Sequence, residues 1–315
     1  MKRFSCPTCG NDVHFENTQC LSCGAALVYV PEARQMLVLI GEACANRAAI
    51  HCNWPAVDGP LCECCAATET IPDQTIAANA TRWSRIEEAK RRLYYSLISL
   101  GLPREQDELE LRFRLLGDVQ EADGSVSPVL TGHEDGLITL NIAEADDDER
   151  EARRLTLGEP YRTVLGHLRH EVGHFYWDVL VKGRDEAGFT ALFGDASQDY
   201  QQALERHYAQ GAPVDWPGHH VSAYAAAHPW EDFAETWAHY LHMVDGLETA
   251  SRFGLGPQID AYRGADPAEL VAAWMPLSVA MNEMNRAMGQ SDFYPFVLPV
   301  PVTEKLAYIH RLIHG

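Results

Sequence analysis

All nine cysteines of this 315-residue chain lie at or before position 65, and the following 250 residues contain none. A stretch of about 65 residues with few apolar side chains has too small a core to hold itself folded, so its thiols must staple it. No apolar run follows Met1-Lys2-Arg3 of the kind a secretory signal needs, which predicts a cytosolic protein. In a reducing compartment clustered thiols are metal ligands before they are disulfides, and an odd number disfavours a purely disulfide framework. The whole chain is 46 % hydrophobic, enough for a conventional core beyond the cysteines. Its formal net charge of -20 repels phosphate backbones and anionic lipid, so neither nucleic acid nor membrane is expected as a partner of the whole molecule. The apolar run Met36–Ile40 is too short to span a bilayer.

The cysteines fall into two sets. Cys6-Pro-Thr-Cys9-Gly and Cys20-Leu-Ser-Cys23-Gly are two C-x-x-C-G knuckles. In each, thiolates at i and i+3 point at one ion while glycine permits the tight turn behind them. Together they predict a closed four-sulfur zinc site, a zinc ribbon over residues 1–30, with His14 left as a surface residue. Cys44, Cys52, Cys62 and Cys65 predict a second zinc module over residues 31–72, with Cys64 in excess and competing with Cys62 for a place in it. Such modules serve as docking platforms or as folding staples.

Composition changes after Ile71–Asp73, and residues 73–315 read as one further domain, α+β with helix predominating. The patterning predicts a helix over Ile86–Leu102 and strands over Leu109–Leu116 and Gly136–Ile142. Asp118–Glu151 carries eleven acidic residues against one basic one, a solvated face. A helix is predicted over Pro160–Val181, with Pro160 at its start, Gly183 at its end and Leu165, Leu168, Val172, Phe175 and Val179 as its buried stripe. Another face of that helix holds His170-Glu171-Val172-Gly173-His174. Histidines at i and i+4 lie one turn apart on one side and can reach one zinc ion, and Glu171 beside them can take a proton from a zinc-bound water. His167 sits one turn too early to complete the pair.

A hydrolytic zinc site needs a third protein ligand and an open position. Pro229 marks another helix start, and Glu231 and Glu235 share a face of it. One carboxylate can bind the metal while the other holds a ligand imidazole through its second N–H; Asp178 is another candidate for that supporting role. His228, His239 and His242 are alternative ligands on the same face. The histidines are as segregated as the cysteines, nine of fourteen falling between His167 and His242.

The H-E-x-x-H followed by Glu-x-x-x-Glu on a second helix resembles the gluzincin metallopeptidases. Tyr224-x6-Glu231-x3-Glu235 is similar to the corresponding element of the lethal-factor-type zincins. That resemblance implies Glu231 as the zinc ligand, Glu235 as the residue behind a ligand, and Tyr224 as the hydroxyl that stabilises the oxyanion. The chain as a whole resembles a bacterial family of zinc-binding metallopeptidases with an N-terminal zinc ribbon. The likeness runs through Cys6-Pro-Thr-Cys9, Cys52-Asn53-Trp54, Gly132-His133-Glu134-Asp135-Gly136, His170–His174 and Pro229-Trp230-Glu231-Asp232, up to about Leu255. It implies a zincin-like catalytic domain preceded by zinc-ribbon modules.

These readings predict a zinc metallopeptidase with one catalytic zinc, one or two structural ones, and a protein or peptide substrate docked through the ribbon modules. The substrate is expected to lie extended beside Gly136–Ile142 as an edge strand. Two rivals are a non-catalytic zinc-ribbon adaptor with a degenerate site and a zinc hydrolase acting on a non-peptide bond. Further on, Pro267–Met288 is a core helix kinked or split at Pro276, Phe293–Pro301 is extended, and Glu304–Ile313 is a closing amphipathic helix. Tyr176, Trp177, Trp230 and Trp237 are packing residues near the site.

Overall fold

The computed structural model describes residues 1–120, 123–148, 150 and 163–315. Two compact units divide it, residues 2–152 and residues 153–315 with Met1. The segment that follows the cysteines belongs to the same compact unit as they do.

In the first unit, β1 (Phe4–Ser5) and β2 (Asp12–Val13) flank the first knuckle, and β3 (Leu27–Val30) and β4 (Gln35–Val38) form a hairpin after the second. Gly10 and Gly24 take φ of +74° and +76°, the left-handed turn behind each pair of thiols. The expected division at 30/31 falls inside the β3–β4 hairpin. The two modules instead share one aromatic core, in which Tyr29 packs on Phe15 at 4.8 Å and on Trp54 at 5.6 Å. Short helix α1 (Arg47–Ile50) lies between Cys44 and Cys52, and α2 (Glu63–Ala66) carries Cys64 and Cys65 with Cys62 as its cap.

From α2 the chain enters β5 (Thr68–Thr70) and the long helix α3 (Ala77–Leu100), closed by Gly101 at φ +72°. Helix α3 begins nine residues before the expected start; its first turns, rich in alanine and mostly exposed, extend by propensity rather than by an apolar stripe. The strands that follow are β6 (Glu105–Gln106), β7 (Leu109–Glu110), β8 (Arg112–Leu116), β9 (Val119–Gln120), β10 (Val126–Ser127), β11 (Gly132–Glu134) and β12 (Leu137–Asn141). The single strand expected over 109–116 is thus broken at Leu111: β7 pairs with β6, and β8 joins a four-stranded sheet of order β11-β12-β8-β5. In that sheet β12 and β5 run parallel to β8, and β11 antiparallel to β12. Strand β12 lies inside the sheet, so the expectation of an edge strand at Gly136–Ile142 fails. Both its neighbours take up its backbone hydrogen bonds, and the edges are β11 and β5.

The second unit is helical: α4 (Val164–Leu180), α5 (Glu186–Phe193), α6 (Tyr200–Gln210), α7 (Pro229–Phe253), α8 (Pro267–Ala287) and α9 (Val300–His314). Pro160 lies outside the described residues, and α4 is capped by the Thr163 hydroxyl, which accepts the Gly166 N–H at 3.0 Å. Helix α8 continues through Pro276 as one element. Leu168, Val172, Phe175 and Val179 are buried and Leu165 is half-buried. Against them α7 brings Phe233 and Trp237, with Trp237 stacked on Tyr176 at 4.7 Å and an interplanar angle of 19°. Each fully buried side chain of this size contributes about 2 kcal/mol relative to exposure. Tyr176 and Trp237 are core, while Trp177 and Trp230 keep part of their surface. No helix among the described residues is long and apolar enough to cross a membrane. The architecture is α+β with helix predominating.

Candidate metal centre

Helix α4 sets His170, Glu171 and His174 on one side, all three buried. Gly173 lets α7 come close: a Cβ added at Gly173 would stand 2.8 Å from Ala234 Cα. Helix α7 starts at Pro229, and its cap is His228, whose Nδ1 accepts the Trp230 N–H at 3.1 Å. Glu231, in the first turn, is 1 % exposed. Its Oε2 lies 3.0 Å from His170 Nε2 and 3.6 Å from His174 Nε2.

These three atoms fit a zinc ion. Bonds of about 2.0–2.1 Å at a tetrahedral angle place ligand atoms roughly 3.3 Å apart, between the two distances observed. The donor set also demands a cation. The Nδ1–H of His170 donates to Glu235 Oε1 at 2.8 Å, because a carboxylate can only accept, and this turns Nε2 toward Glu231. Glu231 Oε2 is buried and has no hydrogen-bond donor among the described residues. A buried carboxylate oxygen facing two imidazole nitrogens without a positive charge between them would be a costly arrangement. Burial would push the His170 pKa down, but Glu231 and Glu235 hold it well above the usual imidazole range. The pocket is built for positive charge.

Around these ligands stands a supporting layer. Glu235, one turn after Glu231, binds His170 with one oxygen and accepts the Ser222 hydroxyl at 2.6 Å with the other. Burial raises its pKa, yet His170 brings it to about 2. The Tyr200 hydroxyl donates to Glu231 Oε1 at 2.6 Å. Asp232, fully buried, is met by Lys305 Nζ of α9 at 2.6 Å and by His220 Nδ1 at 3.1 Å, which ties α9 and the loop before Tyr224 to the turn carrying Glu231. Glu171 Oε1 lies 3.0 Å from His167 Nε2. Burial pushes the Glu171 carboxyl up, but His167 and the other imidazoles bring it below its ordinary value, so it is a carboxylate near neutrality.

Tyr224 begins a short 3-10 turn, Tyr224–Ala226, with its ring 5.9 Å from that of His170. Asp178 does not share the role of Glu235; it pairs at 3.1 Å with Lys182, just past the end of α4. The alternative ligands are used elsewhere. His228 caps α7, His239 Nδ1 meets the Tyr294 hydroxyl at 2.6 Å, and His242 Nδ1 meets Arg169 at 2.5 Å. Tyr200, Ser222 and the pairing of His167 with Glu171 escaped sequence reasoning. Only the last left a trace there, since residues 167 and 171 are one helical turn apart.

Both cysteine sets are assembled. Sγ atoms lie 3.7 Å apart for Cys6–Cys23 and Cys9–Cys20, and 3.6 and 3.8 Å for Cys52–Cys62 and Cys52–Cys65. Disulfides need about 2.05 Å. Four sulfurs at about 2.3 Å from one zinc stand roughly 3.8 Å apart, which matches. The second set is Cys44, Cys52, Cys62 and Cys65. Cys64 stays outside it as a fully buried thiol whose pKa burial pushes well up.

Two family models match the chain. The first, over residues 79–312, is described as "Putative zinc-binding metallo-peptidase", and the second, over residues 3–76, as a zinc-ribbon domain. Similar proteins include the uncharacterized proteins Rv2568c of Mycobacterium tuberculosis H37Rv and Mb2598c of Mycobacterium bovis. Each is 43 % identical over 331 aligned positions that cover 99 % of this chain and 95 % of the relative. No solved structure matches it. The buried His/His/Glu donor set inside the first matched segment and the thiolate clusters inside the second agree with those descriptions: the chain belongs to the zinc-binding metallo-peptidase family and carries that family's domain behind an N-terminal zinc ribbon.

Proposed function

We propose that this protein is a zinc-dependent peptidase of the gluzincin type, with His170, His174 and Glu231 holding the catalytic ion and each cysteine cluster holding a structural one. The observation that carries the reading is the meeting of two imidazole nitrogens and one buried carboxylate oxygen beside a buried, ionised Glu171. A zinc ion held there would supply a Lewis acid and lower the pKa of a bound water toward neutrality. Glu171 takes the proton of the attacking water on its carboxylate and returns it to the leaving amine. His167 holds that carboxylate from one turn earlier in α4. The Tyr224 hydroxyl donates to the oxyanion that forms on the scissile carbonyl, a contribution of about 3 kcal/mol for one well-placed donor. A protein or peptide is the substrate, docked through the ribbon modules, and the cytosol is the compartment.

The test is a comparison of the wild type with Glu171→Gln in a proteome lysate, followed by sequencing of new chain termini. Wild type should create termini that the variant does not, while both bind the same amount of zinc. A variant that cleaves as fast as wild type removes Glu171 from the mechanism. A wild type that cleaves nothing while holding zinc at His170 favours the adaptor.

A further inference from the structure

Glu231 has two oxygens, and only Oε2 faces the imidazoles. The other, Oε1, accepts the Tyr200 hydroxyl at 2.6 Å. Tyr200 is the first residue of α6, whose start is fixed by Asp199, the side chain of which accepts the Gln202 N–H at 2.9 Å. Its ring stands nearly perpendicular to His228 at 5.3 Å and to Trp230 at 5.6 Å, the cap and second residue of the helix that carries Glu231. The ring thus grips the first turn of α7 while the hydroxyl grips the ligand. Yet α6 is mostly exposed, Ala203 being its one buried residue, and Tyr200 itself is 36 % exposed. A buried metal ligand is therefore held by a side chain from a peripheral helix.

Resting on the reading that His170, His174 and Glu231 bind zinc, we propose that Tyr200 is a positioning residue that fixes the binding mode of Glu231. A carboxylate with a free second oxygen can rotate and bind through both. That would fill the position a hydrolytic zinc must keep open. With Oε1 engaged by the Tyr200 hydroxyl, Glu231 offers Oε2 alone. A carboxylate oxygen can only accept, so in this contact the hydroxyl is the donor.

Tyr200→Phe in the full chain removes the hydroxyl and keeps the ring that packs on His228 and Trp230. Zinc affinity is read by competition with a chelator, and coordination number by the visible spectrum of cobalt bound in place of zinc. Outer partners of this kind change metal affinity by about 10–100-fold. We expect Tyr200→Phe to weaken the zinc at His170/His174 by a factor in that range and to give its cobalt form a weaker, five-coordinate spectrum. The cysteine-bound zincs should be unchanged, and Tyr208→Phe, on the same helix and 61 % exposed, should behave as wild type. In a Glu231→Gln background Tyr200→Phe should have much less effect, because the carboxylate it serves is gone. An affinity within twofold of wild type overturns the proposal. So does an equal loss in the Glu231→Gln background, which would mean that the tyrosine acts on the fold and not on the carboxylate. Neither measurement needs turnover: a protein that responds as expected but cleaves no peptide would refute the peptidase reading and leave this one standing.

Discussion

His167 Nε2 and Glu171 Oε1 stand 3.0 Å apart across one turn of α4, so the carboxylate that would handle the proton is braced by a residue of its own helix. Glu171 is 4 % exposed, and a carboxylate so buried needs a partner to stay ionised and oriented. Replacing His167 by alanine leaves the three ligand atoms untouched. The expected outcome is a fall in kcat of between about tenfold and a hundredfold, from misplacement of the reacting group, with zinc content unchanged. Steady-state kinetics and metal analysis on the same preparation decide it; loss of zinc in His167→Ala would assign the residue to the metal and not to Glu171.

Gly173 is the fourth residue of the H-E-x-x-H segment and sits where α4 and α7 cross. An alanine there would normally favour a helix by up to about 1 kcal/mol over glycine. Here its Cβ meets backbone, 2.8 Å from Ala234 Cα and 3.2 Å from Ala234 O, which cannot move aside as a flexible side chain would. Overpacking of this kind costs about 1–3 kcal/mol, so it outweighs the propensity gain. Gly173→Ala should lower the thermal midpoint and also weaken zinc binding, since separating the helices moves Glu231 from His170. A more stable variant would show that the crossing has room to relax.

Cys62 and Cys64 separate the two cysteine roles. Cys62 lies 3.6 Å from Cys52 within the second cluster, whereas Cys64 is fully buried outside it. Cys62→Ala should remove one zinc per chain and unfold its module, because ligation supplies the folding free energy of such small segments. Cys64→Ala should keep every zinc and lose only packing, about 1 kcal/mol. Metal counting on both variants reads this directly, and a zinc lost with Cys64 would reverse the assignment.

What could be read from the sequence follows a single rule: geometry internal to one helix was legible, and geometry between elements was not. His170 with His174, and Glu231 with Glu235, are each four apart, so the 3.6-residue turn puts each pair on one face whatever the rest of the chain does. The cysteine knuckles are equally local. Tyr200 meets Glu231 from 31 positions away and Ser222 meets Glu235 from 13, and neither leaves a periodic mark. The interior place of β12 depends on two long-range pairings, with β11 and β8, that alternation along one strand cannot express. The crowd of histidines resolves in the same way. Beyond the two ligands, His167 braces Glu171, His220 meets Asp232, His228 caps α7, and His239 and His242 are bound to Tyr294 and Arg169.

His239 links this crowding to pH. It is 5 % exposed, its Nδ1 lies 2.6 Å from the Tyr294 hydroxyl, and its ring lies 5.8 Å from that of His242. Burial lowers its pKa from 6.5 to about 4, against the opposing pull of Glu235 one turn earlier. In the unfolded chain the same imidazole titrates near 6.5. Between those values the unfolded state binds more protons, so stability rises with pH through this window: it is fully present above about 6.5 and lost progressively toward 4. The contribution reaches about 3 kcal/mol for a group this buried. His239→Gln should therefore shrink the loss of stability between pH 7 and pH 4.5, read as the shift in urea midpoint. Making the comparison in the presence of a chelator, with both proteins metal-free, removes zinc release from the reading. Equal losses in the two proteins would show that His239 takes up no proton on unfolding.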